Sequence, residues 1–95
     1  MKTNKGSIFE GHCWPGTSAY IDFLNEGAHL FWHHLMTPDV FKGTNDLYNF
    51  WIDMNEPSVF NAKYMTLPMD SIHLTSEGIK TKHSDVHNLY GMLMH

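Results

Sequence analysis

The sequence predicts an α/β chain that supplies about two βα units of a larger (β/α)₈ barrel. The run Leu47–Ile52 is almost entirely apolar or aromatic, which is typical of a strand covered on both faces in a parallel sheet. Helical patterns lie before and after it, and alternating strands and helices favour α/β architecture. Asp53 follows at the predicted carboxyl end of the strand, where barrels place their active sites. A complete barrel takes roughly 250 residues, so residues 1–95 are expected to form a partial barrel domain and no complete domain.

The composition describes a globular chain and excludes several function classes. Hydrophobic residues make up 42% and charged residues 17%, unlike a disordered segment. The formal net charge of −4 favours neither nucleic acid nor an anionic membrane as a partner. No apolar run approaches the roughly 18–20 residues of a membrane helix. Residues 1–6 are polar and have no apolar core of a secretory signal behind them.

The first part of the chain is predicted to be irregular apart from Ser7–Phe9, a short apolar run that reads as a strand end. Residues 11–16 (GHCWPG) predict a loop. Pro15 moves Trp14 out of helical geometry, and Gly16 permits a tight turn. Trp14 is therefore expected on an extended loop, where its ring can face a ligand.

Two amphipathic helices are predicted. Asn25 is the N-cap of the first, which Pro38 ends, and Ser84 is the cap of the second. Both helices repeat apolar residues at i, i+3, i+4 and i+7: Ala28, Phe31, Trp32 and Leu35 in the first, and Val86, Leu89, Tyr90 and Leu93 in the second. Residues 61–82 show no periodicity, which predicts a long loop that is either a functional lid or a segment ordered by other parts of the protein.

Two carboxylates, Asp53 and Glu56, are the candidates for chemistry. Trp51 is expected to share a strand face with Asp53, and aromatic rings beside a carboxylate are typical of sugar sites. Glycoside hydrolysis uses two carboxyl groups, roughly 5–5.5 Å apart in retaining enzymes and roughly 6.5–9.5 Å apart in inverting ones. The alternative is that Asp53 is a turn acid that accepts hydrogen bonds from the amides of Asn55 or Ser58.

Other candidates give weaker signals. His29 and His33, like His83 and His87, have the i, i+4 spacing of metal ligands on a helix. Because no glutamate follows the first histidine and no third ligand stands at a characteristic distance, packed or solvated histidines are preferred to zinc, and no metal is predicted. The single cysteine, Cys13, excludes an internal disulfide. We expect it to be a buried structural thiol, since a nucleophilic thiol would need an activating base.

Residues 7–91 resemble the nucleophile-bearing part of glycoside hydrolase family 31, the α-glucosidase family, and within it the neutral α-glucosidases. The resemblance rests on four blocks in the order and spacing of the family. They are Gly11–Gly16 (GHCWPG), Tyr20–Phe23 (YIDF), Trp51–Phe60 (WIDMNEPSVF) and His87–Gly91 (HNLYG).

The resemblance implies a (β/α)₈ barrel and a retaining hydrolase that acts on α-glucosides or glycans without a cofactor. Asp53 matches the family nucleophile, which forms a covalent β-glucosyl ester. Trp14, Trp51 and Met54 match residues that wall the glucose pocket, and Glu56 becomes a supporting residue. The endoplasmic reticulum or the cytoplasm is the implied compartment.

The family's acid/base lies in a downstream Trp-Thr-Gly-Asp-type block that these residues do not include. The rest of the barrel is therefore expected from sequence outside this chain, and the isolated chain is expected to be inactive, since a general acid contributes roughly 10²–10⁴ in rate. The sequence also departs from the family at Ile52, at Glu26 and at Ser84, where an asparagine, a proline and an arginine are common. The alternative hypothesis is a non-catalytic truncated product, or a sugar-binding or interaction fragment.

Overall fold

The computed structural model describes all 95 residues as two β-hairpins, one long helix and a short helical segment near the end of the chain. The elements are β1 (Glu10–Cys13), β2 (Gly16–Ala19), α1 (Glu26–Leu35), β3 (Ile72–Leu74), β4 (Lys80–Lys82), α2 (His83–Val86), a 3₁₀ turn (His87–Leu89) and α3 (Tyr90–Met94). No helix is long and apolar enough to cross a membrane.

The first hairpin replaces most of the loop predicted over residues 11–16. β1 and β2 pair antiparallel, with Glu10 opposite Ala19 and Cys13 opposite Gly16. Only Trp14 and Pro15 remain in the turn, and Gly16 has a φ of +97°, which glycine adopts readily. The turn residues were recognised correctly, but the backbone on either side pairs with itself.

The second hairpin lies inside the segment that was predicted to be a long loop. β3 and β4 pair antiparallel, with His73 opposite Thr81, and Lys2 exchanges two backbone hydrogen bonds with Ile72 (3.1 and 2.8 Å). Strands of three residues are too short to show an alternating pattern, so the prediction of a long loop over residues 61–82 was wrong over this part.

The strand predicted over Leu47–Ile52 does not form. The backbone amides of this run donate only local hydrogen bonds, from Tyr48 to the Asn45 carbonyl and from Leu47 to the Asn45 side chain. Leu47 and Trp51 are 88% and 90% exposed. A strand needs a neighbour to pair with, and no other segment of these residues pairs with the run. The hairpins are antiparallel, and the structure contains no parallel sheet.

The first helix agrees with its prediction. The Asn25 side chain accepts a hydrogen bond from the Gly27 amide (3.0 Å), and α1 ends at Leu35, shortly before Pro38. Its apolar face is only partly covered, since α1 buries no residue fully and Phe31 is 52% exposed.

The second helix differs from its prediction at the start. It begins at His83, with Lys82 at the N-cap position and no side-chain cap. Ser84 lies inside the helix, and its hydroxyl donates to the Asp85 carboxylate (2.9 Å). The prediction of Ser84 as the cap was therefore wrong.

The core is small and partly polar. Nine of the 95 residues are buried. Phe23, Val59, Leu67 and Tyr90 form its apolar part, and Ser71, His73 and His83 form its polar part. It joins the segment after β2, the residues around Val59 and Leu67, and the second hairpin with its following helices.

Candidate active site

A cavity of about 390 Å³ lies between the β1–β2 turn, the segment after β2, residues 53–58 and α3. Three of the predicted site residues line it: Asp53, Met54 and Trp14. The other lining residues are Cys13, Pro15, Ser18, Ala19, Tyr20, Ile21, Phe23, Trp32, Asn55, Pro57, Ser58, Tyr90 and Met94. The structure thus brings one carboxylate and two of the three predicted wall residues to one concave surface.

Asp53 begins a tightly turned segment. Met54 has a φ of +62°, and the Ser58 amide donates to the Met54 carbonyl (3.0 Å). The segment is anchored downstream by the buried Pro57 and Val59. The Asp53 carboxylate is exposed and forms no hydrogen bond or ion pair. The geometry of a turn acid, with the Ser58 amide donating to Asp53, is not observed.

A second anchor holds this segment from the side of α3. The Asn55 side chain donates to the Gly91 carbonyl (3.4 Å). A Cβ atom on Gly91 would lie only 2.9 Å from the Asn55 carbonyl oxygen, closer than real Cβ atoms approach. Glycine at position 91 therefore lets α3 pack directly against the segment that follows Asp53.

Glu56 does not line the cavity. Its carboxylate is exposed and accepts a hydrogen bond from the Ser58 hydroxyl (2.5 Å). The two carboxylates of the segment therefore do not face one cavity as a pair, and Glu56 instead contacts the segment itself.

The two predicted tryptophan walls differ in position. Trp14 stands at the rim of the cavity, 77% exposed, with its ring edge-on to Phe60 at 4.9 Å between centroids. Trp51 does not line the cavity, because the run before Asp53 is not a strand and presents no common face.

Two tyrosines that are not among the predicted site residues line the cavity. The Tyr20 hydroxyl donates to the Ser58 carbonyl (2.6 Å), and the Tyr90 hydroxyl donates to the Ile21 carbonyl (2.9 Å). Burial, with Cys13 beside it, raises the pKa of Tyr20 to about 12, and burial also raises the pKa of Tyr90. Both hydroxyls are thus protonated donors at neutral pH. Tyr90 stood in a helical apolar pattern, which signalled packing and not a hydrogen bond.

The remaining candidates lie as follows. Cys13 is a free, half-buried thiol that lines the cavity. His29 contacts the Phe23 carbonyl (2.9 Å), and His33 is exposed. His83 is fully buried and hydrogen-bonded to His87 (2.9 Å). No group of three or more histidine, cysteine, aspartate or glutamate side chains is arranged to hold a metal ion.

Below the cavity, Asp22 accepts hydrogen bonds from His73 and from the Leu74 amide, both at 2.6 Å. Burial alone would raise the pKa of Asp22, but these two donors, the charge of His73 and a third donor, the Leu24 amide (3.3 Å), outweigh it and lower the pKa below its usual value. Burial and the neighbouring His73 and His87 lower the pKa of His83 to about 4.

The sequence of this chain matches a known protein family and several of its members. Residues 1–95 match the sequence model described as "Glycosyl hydrolases family 31 TIM-barrel domain". "Neutral alpha-glucosidase AB" of Mus musculus is 39% identical over 95 residues, which are 100% of this chain and 10% of the relative. "Probable glucan 1,3-alpha-glucosidase" of Oryza sativa subsp. japonica is 38% identical with the same coverage.

Solved structures show the same fold over nearly the whole chain. A crystal structure of glucosidase II alpha subunit in a DNJ-bound form has a TM-score of 0.87 and 50% identity, covering 97% of this chain and 10% of that chain. A crystal structure of an ER glucosidase II heterodimeric complex, of the catalytic subunit and the binding domain of the regulatory subunit, has a TM-score of 0.85, 50% identity and the same coverage. This chain thus spans about a tenth of the length of these relatives.

Proposed function

Because this chain belongs to glycosyl hydrolase family 31, we propose that it is the nucleophile-bearing segment of a retaining α-glucosidase. The observation that supports this most is the position of Asp53. Its carboxylate has no partner within the chain, and Asp53 lines the same cavity as Trp14 and Met54. Carboxylates act as nucleophiles in glycosidases, and a carboxylate without a partner is free to attack a sugar bound in this cavity.

In the proposed reaction, a carboxylate oxygen of Asp53 attacks the anomeric carbon of an α-glucosyl group. The bond to the leaving oxygen breaks as that oxygen takes a proton from an acid, and a covalent β-glucosyl ester remains on Asp53. Water, deprotonated by the same group, then breaks the ester and gives net retention. The acid/base is supplied from outside these 95 residues, so the isolated chain is inactive.

Other residues support Asp53. Trp14 and Met54 wall the glucose, and Glu56 acts on the segment through Ser58. Trp51 reaches the pocket when residues 47–52 pair as a strand with the rest of the barrel. The exposure of Leu47 (88%) and Trp51 (90%) supports this, because apolar side chains at such exposure gain free energy on burial.

The printed names of the relatives guide the substrate class and the compartment. They are α-glucosidases, one of them a glucan 1,3-alpha-glucosidase, which supports α-glucosides or glycans as the substrate. One relative is an ER complex of a catalytic and a regulatory subunit, which favours the endoplasmic reticulum over the cytoplasm.

The test uses a complete barrel, made by exchanging these residues for the matching segment of mouse neutral alpha-glucosidase AB. A cyclophellitol-type epoxide, which alkylates the nucleophile of retaining glucosidases, is added, and the labelled peptide is identified by mass spectrometry. We expect the label on Asp53 and none in Asp53→Asn. Asp39→Asn, an exposed acid without a hydrogen bond, should be labelled like the wild type. A label on any other residue would contradict the assignment.

A second candidate is a non-catalytic sugar-binding or interaction fragment. One observation favours it: Asp53 is the only carboxylate that lines the cavity, which therefore contains no partner acid for it. This candidate predicts that the exchanged protein binds an α-glucoside but releases no glucose from it.

A further inference from the structure

Four side chains below the cavity form one continuous hydrogen-bonded series. The Asp22 carboxylate contacts Nδ1 of His73 (2.6 Å), Nε2 of His73 contacts Nδ1 of His83 (3.0 Å), and Nε2 of His83 contacts Nδ1 of His87 (2.9 Å). His73 and His83 are 1% and 0% exposed, while His87 is half-buried. We name these four residues the histidine series.

The histidine series joins the second hairpin and the C-terminal helices to the segment after β2, whose residues Tyr20, Ile21 and Phe23 form the floor of the cavity. His73 lies on β3, His83 begins α2, and His87 begins the 3₁₀ turn. Asp22 stands between Ile21 and Phe23, two residues that line the cavity. The series therefore holds three elements against one short segment of the floor.

Tyr90 is a second connection between the series and the cavity. Its ring lies 6.1 Å from that of His83 and 6.4 Å from that of His73, and it meets Phe23 edge-on at 5.5 Å. Because Tyr90 also lines the cavity, a displacement of the histidines moves a wall of the cavity as well as its floor.

The number of protons that the histidine series can hold follows from the chemistry of its groups. The ionised Asp22 only accepts, so His73 donates from Nδ1. Three neutral histidines carry three N–H groups, one for each of the three contacts. Each ring then donates from its Nδ1 to the next group on the Asp22 side of the series, and Nε2 of His87 remains an acceptor.

One additional proton fits without breaking a contact. This proton binds Nε2 of His87. The Nδ1 proton of His87 then passes to Nε2 of His83, and the Nδ1 proton of His83 passes to Nε2 of His73. His73 becomes an imidazolium beside Asp22, and the two outer hydrogen bonds reverse direction. A second additional proton does not fit, because two N–H donors would then face each other across one of the contacts between rings.

We propose that the histidine series positions the floor of the cavity and that it accepts one proton but not a second. The glucose pocket itself rests on the proposed function, whereas the proton count does not. Below the usual histidine pKa of about 6.5, the unfolded chain binds three protons at these residues and the folded chain binds one. The folded state therefore loses stability as the pH falls. The lowered pKa of His83 is consistent with this limit.

The other ionisable groups near the series are few. The Met1 amino group lies near Asp22 and donates to the Tyr20 carbonyl (2.6 Å), and burial lowers its pKa. The hydroxyls of Tyr20 and Tyr90 have raised pKa values and stay neutral in acid. In the unfolded chain, the three histidines are thus the groups of the series that gain protons as the pH falls below about 6.5.

The test measures the unfolding equilibrium constant of the 95-residue chain in urea between pH 6.5 and pH 4.5. Because the folded chain binds two protons fewer than the unfolded chain, this constant should rise by up to roughly 100-fold for each unit by which the pH falls. In His83→Asn, the amide can still contact His73 while His87 is freed to titrate, so we expect a nearly flat profile. His33→Gln, at an exposed histidine of α1, should follow the wild type.

A second readout concerns the cavity and needs no substrate. Cys13 is the single thiol and lines the cavity. With both variants measured at the same pH, we expect iodoacetamide to alkylate Cys13 a few-fold faster in His83→Asn than in His33→Gln. Equal rates would show that the series does not hold the cavity.

Imidazole ¹⁵N spectra of the wild type keep the proposal testable if His83→Asn does not fold. At pH 7 we expect His73 and His83 to carry their proton on Nδ1, and at pH 5.5 we expect His83 to carry it on Nε2. Two doubly protonated rings in the folded chain, equal pH profiles for wild type and His83→Asn, or the absence of cooperative unfolding at pH 7 would each overturn the proposal. None of these outcomes depends on glucosidase activity.

Discussion

The hydroxyl of Tyr20 donates a hydrogen bond to the main-chain carbonyl of Ser58, 2.6 Å away. This contact joins two parts of the chain that lie 38 residues apart. One is the segment after β2, which forms the floor of the cavity, and the other is the turned segment that begins with Asp53. The position of the proposed nucleophile thus depends on a tyrosine outside its own segment.

We expect Tyr20→Phe to lower the free energy of unfolding by about 0.5–1.5 kcal/mol, because the half-buried Ser58 carbonyl loses its donor while the ring is retained. Urea unfolding of the purified chain measures the change. Tyr64→Phe is the matched control, since Tyr64 is 70% exposed and its hydroxyl has no hydrogen-bond partner. An equal loss in both variants would show that the Tyr20–Ser58 contact contributes nothing.

Local signals allowed the first helix to be predicted. The Asn25 cap, the apolar spacing and the stop at Pro38 act within one or two turns of chain, and each is present in the structure of α1. The segment that begins with Asp53 could also be located, because its aspartate, asparagine, glutamate and proline lie together in the sequence.

The rest depended on contacts that the sequence does not display. Residues 47–52 have the composition of a buried strand, but a strand forms only beside a partner. The second hairpin has strands of three residues, too short for a period to appear. The link from His73 to Asp22 spans 51 residues, and no periodicity reports a contact at such separation.

Substitution of Gly91 is expected to disturb the Asp53 segment from the opposite side. In Gly91→Ala the new Cβ would lie 2.9 Å from the Asn55 carbonyl oxygen, so α3 or the segment must shift. We expect a loss of about 1–3 kcal/mol in unfolding free energy, as for other overpacked sites. Met92→Ala is the control: Met92 is 70% exposed, and its truncation should change stability by less than about 0.5 kcal/mol.

The two carboxylates should differ in their effect on catalysis. In the complete barrel made by segment exchange, Asp53→Ala should abolish release of glucose from an aryl α-glucoside, because no covalent ester can form. Glu56→Gln should retain measurable turnover, since its amide oxygen still accepts from Ser58. Initial rates at saturating substrate make the comparison. Activity in Asp53→Ala, or complete loss in Glu56→Gln alone, would reverse the roles.

Asp22 makes the stability of the chain depend on pH in a second, more acidic range. Hydrogen bonds from His73 and from the Leu74 amide hold its pKa below the ordinary value of 3.8. A carboxyl group with a lowered folded-state pKa stabilises the fold above its unfolded-state pKa, and that contribution disappears as the pH falls through the folded-state value.

Asp22→Asn places an amide N–H against one of these donors. We expect a loss of about 1.5–3 kcal/mol at pH 7, the usual range for hydrogen bonds to a charged group. The difference between wild type and Asp22→Asn should shrink as the pH falls below 3.8 and through the folded-state pKa of Asp22. Urea unfolding at each pH measures it, and Asp39→Asn, at an exposed acid without a hydrogen bond, serves as the control. A difference that persists unchanged in strong acid would show that Asp22 acts by shape and not by charge.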